Sequence, residues 1–263
     1  MIEWQDDGIV LSSTPHGEDA TVVHLLTREH GHHAGLVRGG QSRRTQGTYQ
    51  PGNLVQASWR ARLADHLGQY TCEAVETPIA RLMDRPDRLV ALSAMAAVAQ
   101  HALPEREAHP AAFEGTQALL AALEGEHWAE AYVHWEMFLL GELGFALDLS
   151  CCAGGGNDRL AYVSPRTGRA VSLSAGEPYR DKLLALPGFL AGYAGGGTGE
   201  VAQGLRLTGF FLGRHIFHPA DRDLPAVRHR LAERFERALG EGRGSKAGSD
   251  GETDSVDRPA GMD

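Results

Sequence analysis

At 263 residues and 42% hydrophobic content, the chain is long enough for one large or two small packed domains, which excludes wholesale disorder. Its formal net charge of -9 excludes a generally basic nucleic-acid coat. With no apolar run of about eighteen residues and no basic, apolar leader, nothing points to a membrane span or a secretory signal.

From Gly8 to Thr77 short β-rich runs alternate with turn residues. The runs are 8–14, 20–27, 34–38, 54–62 and 69–75, and the connector 38–47 carries arginines from one run toward the next. Five short strands with one long basic loop fit a small Greek-key barrel of the OB type, whose open face and loops hold oligonucleotides. In the fourth run Val55, Ala57 and Trp59 point one way, while Ser58, Arg60 and Arg62 share the other face.

Arginine supplies nearly all the cationic chemistry. Of 25 Lys and Arg residues only Lys182 and Lys246 are lysines. Between positions 28 and 62 stand Arg28, Arg38, Arg43, Arg44, Arg60 and Arg62 against one acid, Glu29, so six charges less one leave a local excess of five. A planar guanidinium grips phosphate oxygens bidentately, and a cationic patch on an anionic chain marks a local polyanion surface. Arg38, Arg43, Arg44, Arg60 and Arg62 are therefore the expected nucleic-acid contacts, on a flexible loop and its flanking strands. Tyr49, Trp59 and Tyr70 are the barrel aromatics on which bases would stack, with Trp59 expected in the core.

After Pro78 the pattern becomes helical. An alanine-rich helix is expected from Pro86 to Leu103, a second from about Pro110 to Leu123, and a third near His127, with Trp128, Tyr132, Trp135 and Leu139 as its buried stripe. The run breaks over 148–156, two short strands flank the turn Pro165–Gly168, and helices resume over 181–185 and 201–217. The last helix is expected to start at Asp223 as N-cap, with Pro225 in its first turn, and to stop at Gly240. Beyond it, 241–263 is glycine, serine and acid, a composition expected to be disordered. The expected organisation is α+β multidomain: a barrel over 1–79, a mostly helical domain over 80–240 with a strand-containing insert at about 149–175, and an acidic tail.

Other constellations carry less. Glu29-His-Gly-His-His33 has metal-binding residue types but sits on a strand-to-strand turn with no partner ligands in sight, so no metal is expected there. His127, Glu130 and His134 share one side of a helix and read as the edge of its core stripe. The string Gly197-Thr-Gly-Glu-Val-Ala202 lacks the preceding strand that a dinucleotide loop requires, and no Walker A, nucleophile-elbow or His-Glu-x-x-His motif is present. No enzyme activity, cofactor or metal is expected. Arg81, Arg85 and Arg88 either extend the basic track or cap the first helix, and Arg228, Arg230, Arg234 and Arg237 read as a solvated face on the last helix. Cys72, Cys151 and Cys152 give no disulfide framework, so reduced thiols in a cytoplasmic, nucleoid-associated protein are expected.

The order of Asp6-Asp-Gly-Ile-Val-Leu11, Gly17-Glu-Asp19, the Leu-Val-Arg-Gly-Gly run at 36–40 with its basic loop, Pro51-Gly-Asn-Leu-Val55 and Gly144-Phe145 before a cysteine-containing insert resembles the RecO family of bacterial DNA repair and recombination mediators. The resemblance covers residues 1 to about 240. It implies an N-terminal OB-fold and a helical C-terminal domain, binding of single- and double-stranded DNA, and strand annealing. It further implies loading of RecA onto DNA coated with single-stranded-DNA-binding protein, together with RecR and sometimes RecF. Some family members carry a four-cysteine zinc site in the insert. Here Ser150-Cys-Cys-Ala-Gly-Gly-Gly-Asn157 has no second cysteine pair, so the insert is expected to hold together without zinc. The competing reading is a protein-interaction adaptor whose barrel binds a partner chain and no nucleic acid.

Overall fold

A computed structural model of the chain describes residues 1–156 and 158–246. Five strands, β1 (Ile2–His16), β2 (Ala20–Thr27), β3 (Gly31–Val37), β4 (Leu54–Ala61) and β5 (Gln69–Glu76), close into a barrel in the order β1-β2-β3-β5-β4. This is the OB arrangement expected from the five runs. The first strand begins six residues before the expected Gly8, because Asp6 is tolerated inside it. That buried carboxylate accepts from the backbone N–H of Glu29 (2.8 Å) and of His30 (3.2 Å) in the β2–β3 turn and sits 2.9 Å from the His30 ring.

The strand period of two divides the barrel residues into two sets. Val10, Val23, Leu25, Val37, Val55, Ala57 and Trp59 fill the interior with Tyr49 and Tyr70. Ile9, Leu11, Leu26 and Leu54 join the core of the helical domain instead. The His33 ring is packed edge-on against Trp59 (4.8 Å between ring centres) and within 3.2 Å of the Tyr70 hydroxyl.

The helical part comprises α1 (Pro78–Arg81), α2 (Pro86–Ala102), α3 (Pro110–Ala122) and α4 (Trp128–Glu142). Next comes the insert, with β6 (Leu160–Val163), β7 (Ala170–Ser172), α5 (Leu173–Gly176) and β8 (Leu184–Ala185), followed by α6 (Thr198–Leu212) and α7 (Ala226–Lys246). Small side chains let α2 sit deep: Ala91, Ala94, Ala96 and Ala99 are buried beside Leu92, Met95 and Val98. Gly52, at φ +86°, makes room for Leu92, whose side chain would meet any added Cβ at 2.8 Å. Tyr132, Trp135 and Leu139 of the expected stripe are buried, and Trp128 packs at its edge against Phe235 (5.7 Å).

Three expectations need correction. Residues 181–185 are not an α-helix: Asp181 and Lys182 end a 3-10 turn over Glu177–Lys182, which leads into β8, whose apolar residues pair with β6 at the sheet edge. The last helix begins at Ala226, with Pro225 rather than Asp223 ahead of it accepting the first N–H bonds, from Arg228 (2.8 Å) and His229 (3.2 Å). It runs on through Gly240, Gly242 and Gly244 to Lys246, although each glycine costs a helix about 1 kcal/mol. The tail expected to be disordered from 241 is thus helical for its first six residues, and 247–263 lie outside the described residues.

Arg228 is the third correction. It is buried, not part of a solvated face, and forms a bidentate pair with the fully buried Glu136 of α4 (2.5 and 2.8 Å) while donating to the Leu205 carbonyl (2.8 Å). Thr208 of α6 donates to the same carboxylate at 2.5 Å, so three helices share one charged cluster. Removing one partner strands a buried charge. Arg228→Met or Glu136→Leu alone is expected to cost about 3–5 kcal/mol, and the double variant far less, in urea denaturation.

Burial, with the Arg106 charge adding to it, pushes the His33 pKa down to about 4. The unfolded chain titrates at about 6.5, so between these values it takes a proton that the native state refuses. Stability is therefore expected to fall as pH drops from about 6.5 toward about 4, and His33→Gln to flatten that part of a denaturation-versus-pH series.

Candidate nucleic-acid interface

Register explains how three of the five expected arginines come together. Arg60 of β4 stands opposite Gln69 of β5, and Leu36 of β3 pairs with the same Gln69 from the other side. Arg38 follows Leu36 by two residues and projects to the same face. The Gln69 amide therefore lies between the two guanidiniums: it accepts from Arg60 Nη2 at 3.4 Å, or, with the amide turned, from Arg38 Nε at 2.5 Å and Nη2 at 3.3 Å. Arg62 completes the wall of a groove of about 630 Å³ lined by Leu36, Arg38, Arg60, Arg62, His66 and Gln69 among others.

All five arginines are exposed, and none forms an ion pair among the described residues. Glu3, opposite Arg60 in the β1–β4 ladder, is the nearest acid by register and moderates the field there.

Arg43 and Arg44 belong to the same loop as Arg38, but no contact ties them to the groove wall. Their loop is a succession of turns rather than the loose connector expected from its composition. Thr45 Oγ1 donates to the Gly39 carbonyl (2.6 Å), Gln41 Nε2 to that of Ala20 (2.8 Å), and Asn53 Nδ2 to that of Gly47 (2.8 Å). Tyr49 anchors the loop by burying its ring in the barrel.

Other arginines are spent on structure. Arg28 meets Glu114 at 3.0 Å and lies over the Phe113 ring at 4.6 Å, which removes it from the patch. Arg81 binds the Glu124 carboxylate (2.7 Å), and Arg85 and Arg88 donate to the Glu124 carbonyl (3.0 and 2.7 Å). They fasten α1 and α2 to the carbonyl end of α3 and do not lengthen the groove.

Sequence reasoning overlooked Arg106. Held at φ +62°, it donates to the carbonyls of Ala64 and of His66 (2.9 Å), fixing the β4–β5 loop that begins with Arg62. A side chain in the left-handed region costs of order 1–3 kcal/mol, retained where its surroundings hold it.

Tyr49, Trp59 and Tyr70 are all buried, and Trp59 Nε1 donates to the Leu67 carbonyl (3.0 Å). None offers a face to a base. The half-buried Trp4, stacked on His30 at 4.0 Å, is the barrel aromatic nearest to exposure. The groove thus presents charge and hydrogen-bond donors, which suits an anionic backbone better than base edges.

In the insert, the Cys152 sulfur accepts from the backbone N–H of Ser172 (3.1 Å) and Gly154 (3.3 Å), and the Ser172 hydroxyl first, with these backbone bonds after it, brings its pKa down to about 7. Ser174 donates to Asp158 (2.5 Å) and holds the carboxyl at about 2. These bonds tie Cys152 to the end of β7 and Asp158 to the start of α5, beside the small β7-β6-β8 sheet. Among the described residues no helix is long and apolar enough to cross a membrane.

Because the groove arginines are exposed and unpaired, Arg38→Ala, Arg60→Ala and Arg62→Ala are each expected to change stability by no more than about 0.5 kcal/mol. Thermal denaturation of the three variants against the parent chain checks this.

The family model described as Recombination protein O N terminal matches residues 1–78, and that described as Recombination protein O C terminal matches residues 83–224. The chain is 57% identical over 240 residues to the DNA repair protein RecO of Rhodospirillum centenum, covering 90% of this chain and 96% of the relative. It is 50% identical over 246 residues to that of Rhodospirillum rubrum (90% and 98%) and 46% identical over 251 residues to that of Methylorubrum extorquens strain PA1 (92% and 100%).

Proposed function

The chain belongs to the RecO family of DNA repair proteins, and from that premise we propose that it is a non-enzymatic recombination mediator whose barrel groove holds the backbone of single- and double-stranded DNA. The observation that carries this reading is the convergence of Arg38, Arg60 and Arg62 around Gln69, without an ion-paired carboxylate among the described residues, on a protein of net charge -9. Arg43 and Arg44 extend the contact along the loop. Burial of the barrel tyrosines and Trp59 makes the contact indifferent to base sequence, as annealing of arbitrary strands requires.

The barrel over 1–79 is the DNA-binding unit and the helical domain over 80–240 the docking unit for proteins. By family resemblance those proteins are RecR, single-stranded-DNA-binding protein, RecF and RecA, and the setting is the cytoplasmic nucleoid. An apolar groove of about 370 Å³ between α3 and α4, lined by Leu119, Ala122, Ala131, Trp135 and Phe138 among others, supports a docking role.

Fluorescence anisotropy with a labelled oligonucleotide tests the reading. Each phosphate contacted on a single strand contributes about −0.7 to the slope of log K against log salt, so four or five contacts give a slope of about −3. The triple variant Arg38→Ala, Arg60→Ala, Arg62→Ala is expected to bind more weakly on every sequence and to flatten that slope by about 2. Arg43→Ala with Arg44→Ala should flatten it by about 1.4. Unchanged affinity and slope in the triple variant would overturn the groove assignment, and absence of binding by the parent chain would leave the adaptor reading in its place.

A further inference from the structure

We propose that His24, His32 and Glu105 form a binding site for a divalent transition metal of the zinc class, at the junction of the barrel and the helical domain. His24 of β2 and His32 of β3 lie diagonally on one face of the hairpin, and Glu105 comes from the connector between α2 and α3, which runs alongside β3. One ligand atom from each of the three lies within 4.8 Å of the others. The two imidazoles approach through His24 Nδ1 and His32 Nε2 at 3.0 Å. Two nitrogens on one tetrahedral zinc, at about 2.0–2.1 Å each, stand about 3.3 Å apart, so small ring rotations convert this pair into a chelate.

The connector is held where the site needs it. Arg106 N–H donates to the His32 carbonyl (2.8 Å), and Gly31, at φ +65°, lets the hairpin press against the Glu107 carbonyl, which an added Cβ would meet at 1.7 Å. Behind His32, its Nδ1 faces the Leu103 carbonyl at 3.4 Å. A proton on that nitrogen leaves Nε2 as a lone pair, the arrangement by which backbone carbonyls orient metal-ligating histidines. Without metal, His24 Nδ1–H donates to that lone pair. On binding, the His24 proton moves through solvent to its Nε2, and both rings present lone pairs with no net change in protonation. Burial lowers the pKa of both histidines, which favours the neutral rings a metal requires.

Two histidines and a carboxylate leave a fourth position, which opens into a cavity of about 530 Å³ also lined by His101 and Arg222. The Arg222 charge opposes the ion and favours an anion or hydroxide over neutral water at that position. Of the sequence motif at 29–33 only His32 takes part, its partners coming from the preceding strand of the hairpin and from a connector some seventy residues away.

The test is titration of Co(II) into the untagged full-length chain, read by its visible absorption, with Zn(II) and Mg(II) as competitors. Expected are one equivalent of Co(II), displacement by Zn(II) and not by Mg(II), and a rise in melting temperature with Zn(II). Glu105→Gln and His24→Gln should each weaken binding about tenfold or more, whereas Cys151→Ser with Cys152→Ser should leave it unchanged. His32→Gln removes a buried partner, so the exposed Glu105→Gln decides the matter where that variant does not fold. No Co(II) spectrum, binding that survives Glu105→Gln and His24→Gln, or binding lost in the cysteine variant would overturn the assignment.

Discussion

The apolar seam between the outer face of β1 and β2 and the helix α2 is the contact on which the rest of the molecule depends. Ile9, Leu11, Leu26 and Leu54 leave the barrel interior to its own residues and join Leu92, Met95 and their neighbours in a single core with the helical domain. Each such side chain, fully buried, is worth about 1.5–3 kcal/mol. A small barrel alone buries little of its surface. Here its second apolar face is covered by a helix whose alanines allow close approach, so barrel and helices form one packed body.

That packing leaves the far end of the barrel free to carry charge. Arg38, Arg60 and Arg62 are fixed in direction by strand register, by the shared Gln69 amide and, through Arg106, by a brace on the β4–β5 loop. The brace comes from the same connector that carries Glu105, and the positions of both follow from how residues 104–109 run beside β3. The bundle is closed by different means. Glu136 and Arg228 are 92 residues apart in sequence, and their pairing fixes the register of α4, α6 and α7.

What the sequence reveals and what it conceals follow from the range of the forces involved. Strand and helix periodicities are local, so the five strands and the main helices were legible, and the alternation of Trp59 with Arg60 and Arg62 correctly separated core from surface. Partner choice is not local. Nothing near Arg28 announces Glu114, and the alternating charges around Arg228 conceal that one of them turns inward to a buried glutamate. The basic loop is glycine- and serine-bearing, a composition that looked flexible, yet Asn53 and Tyr49 pin it from its far end. Residues 181–185 misled because a stretch of four apolar residues ahead of a proline serves a sheet edge as readily as a helix.

The groove's cationic side chains are the guanidiniums of Arg38, Arg60 and Arg62, with Met1 beside them, and the two lysines lie elsewhere in the chain, Lys182 in the 3-10 turn of the insert and Lys246 at the end of α7. Enzymes that acetylate lysine side chains therefore find no target among the residues that line this groove. Arginine methylation, the modification left to it, alters hydrogen-bond geometry while the charge persists. On the proposed reading, control over the groove's hold on a strand would come from a competing anion, a docked protein or altered hydrogen-bond geometry, not from neutralising lysine side chains.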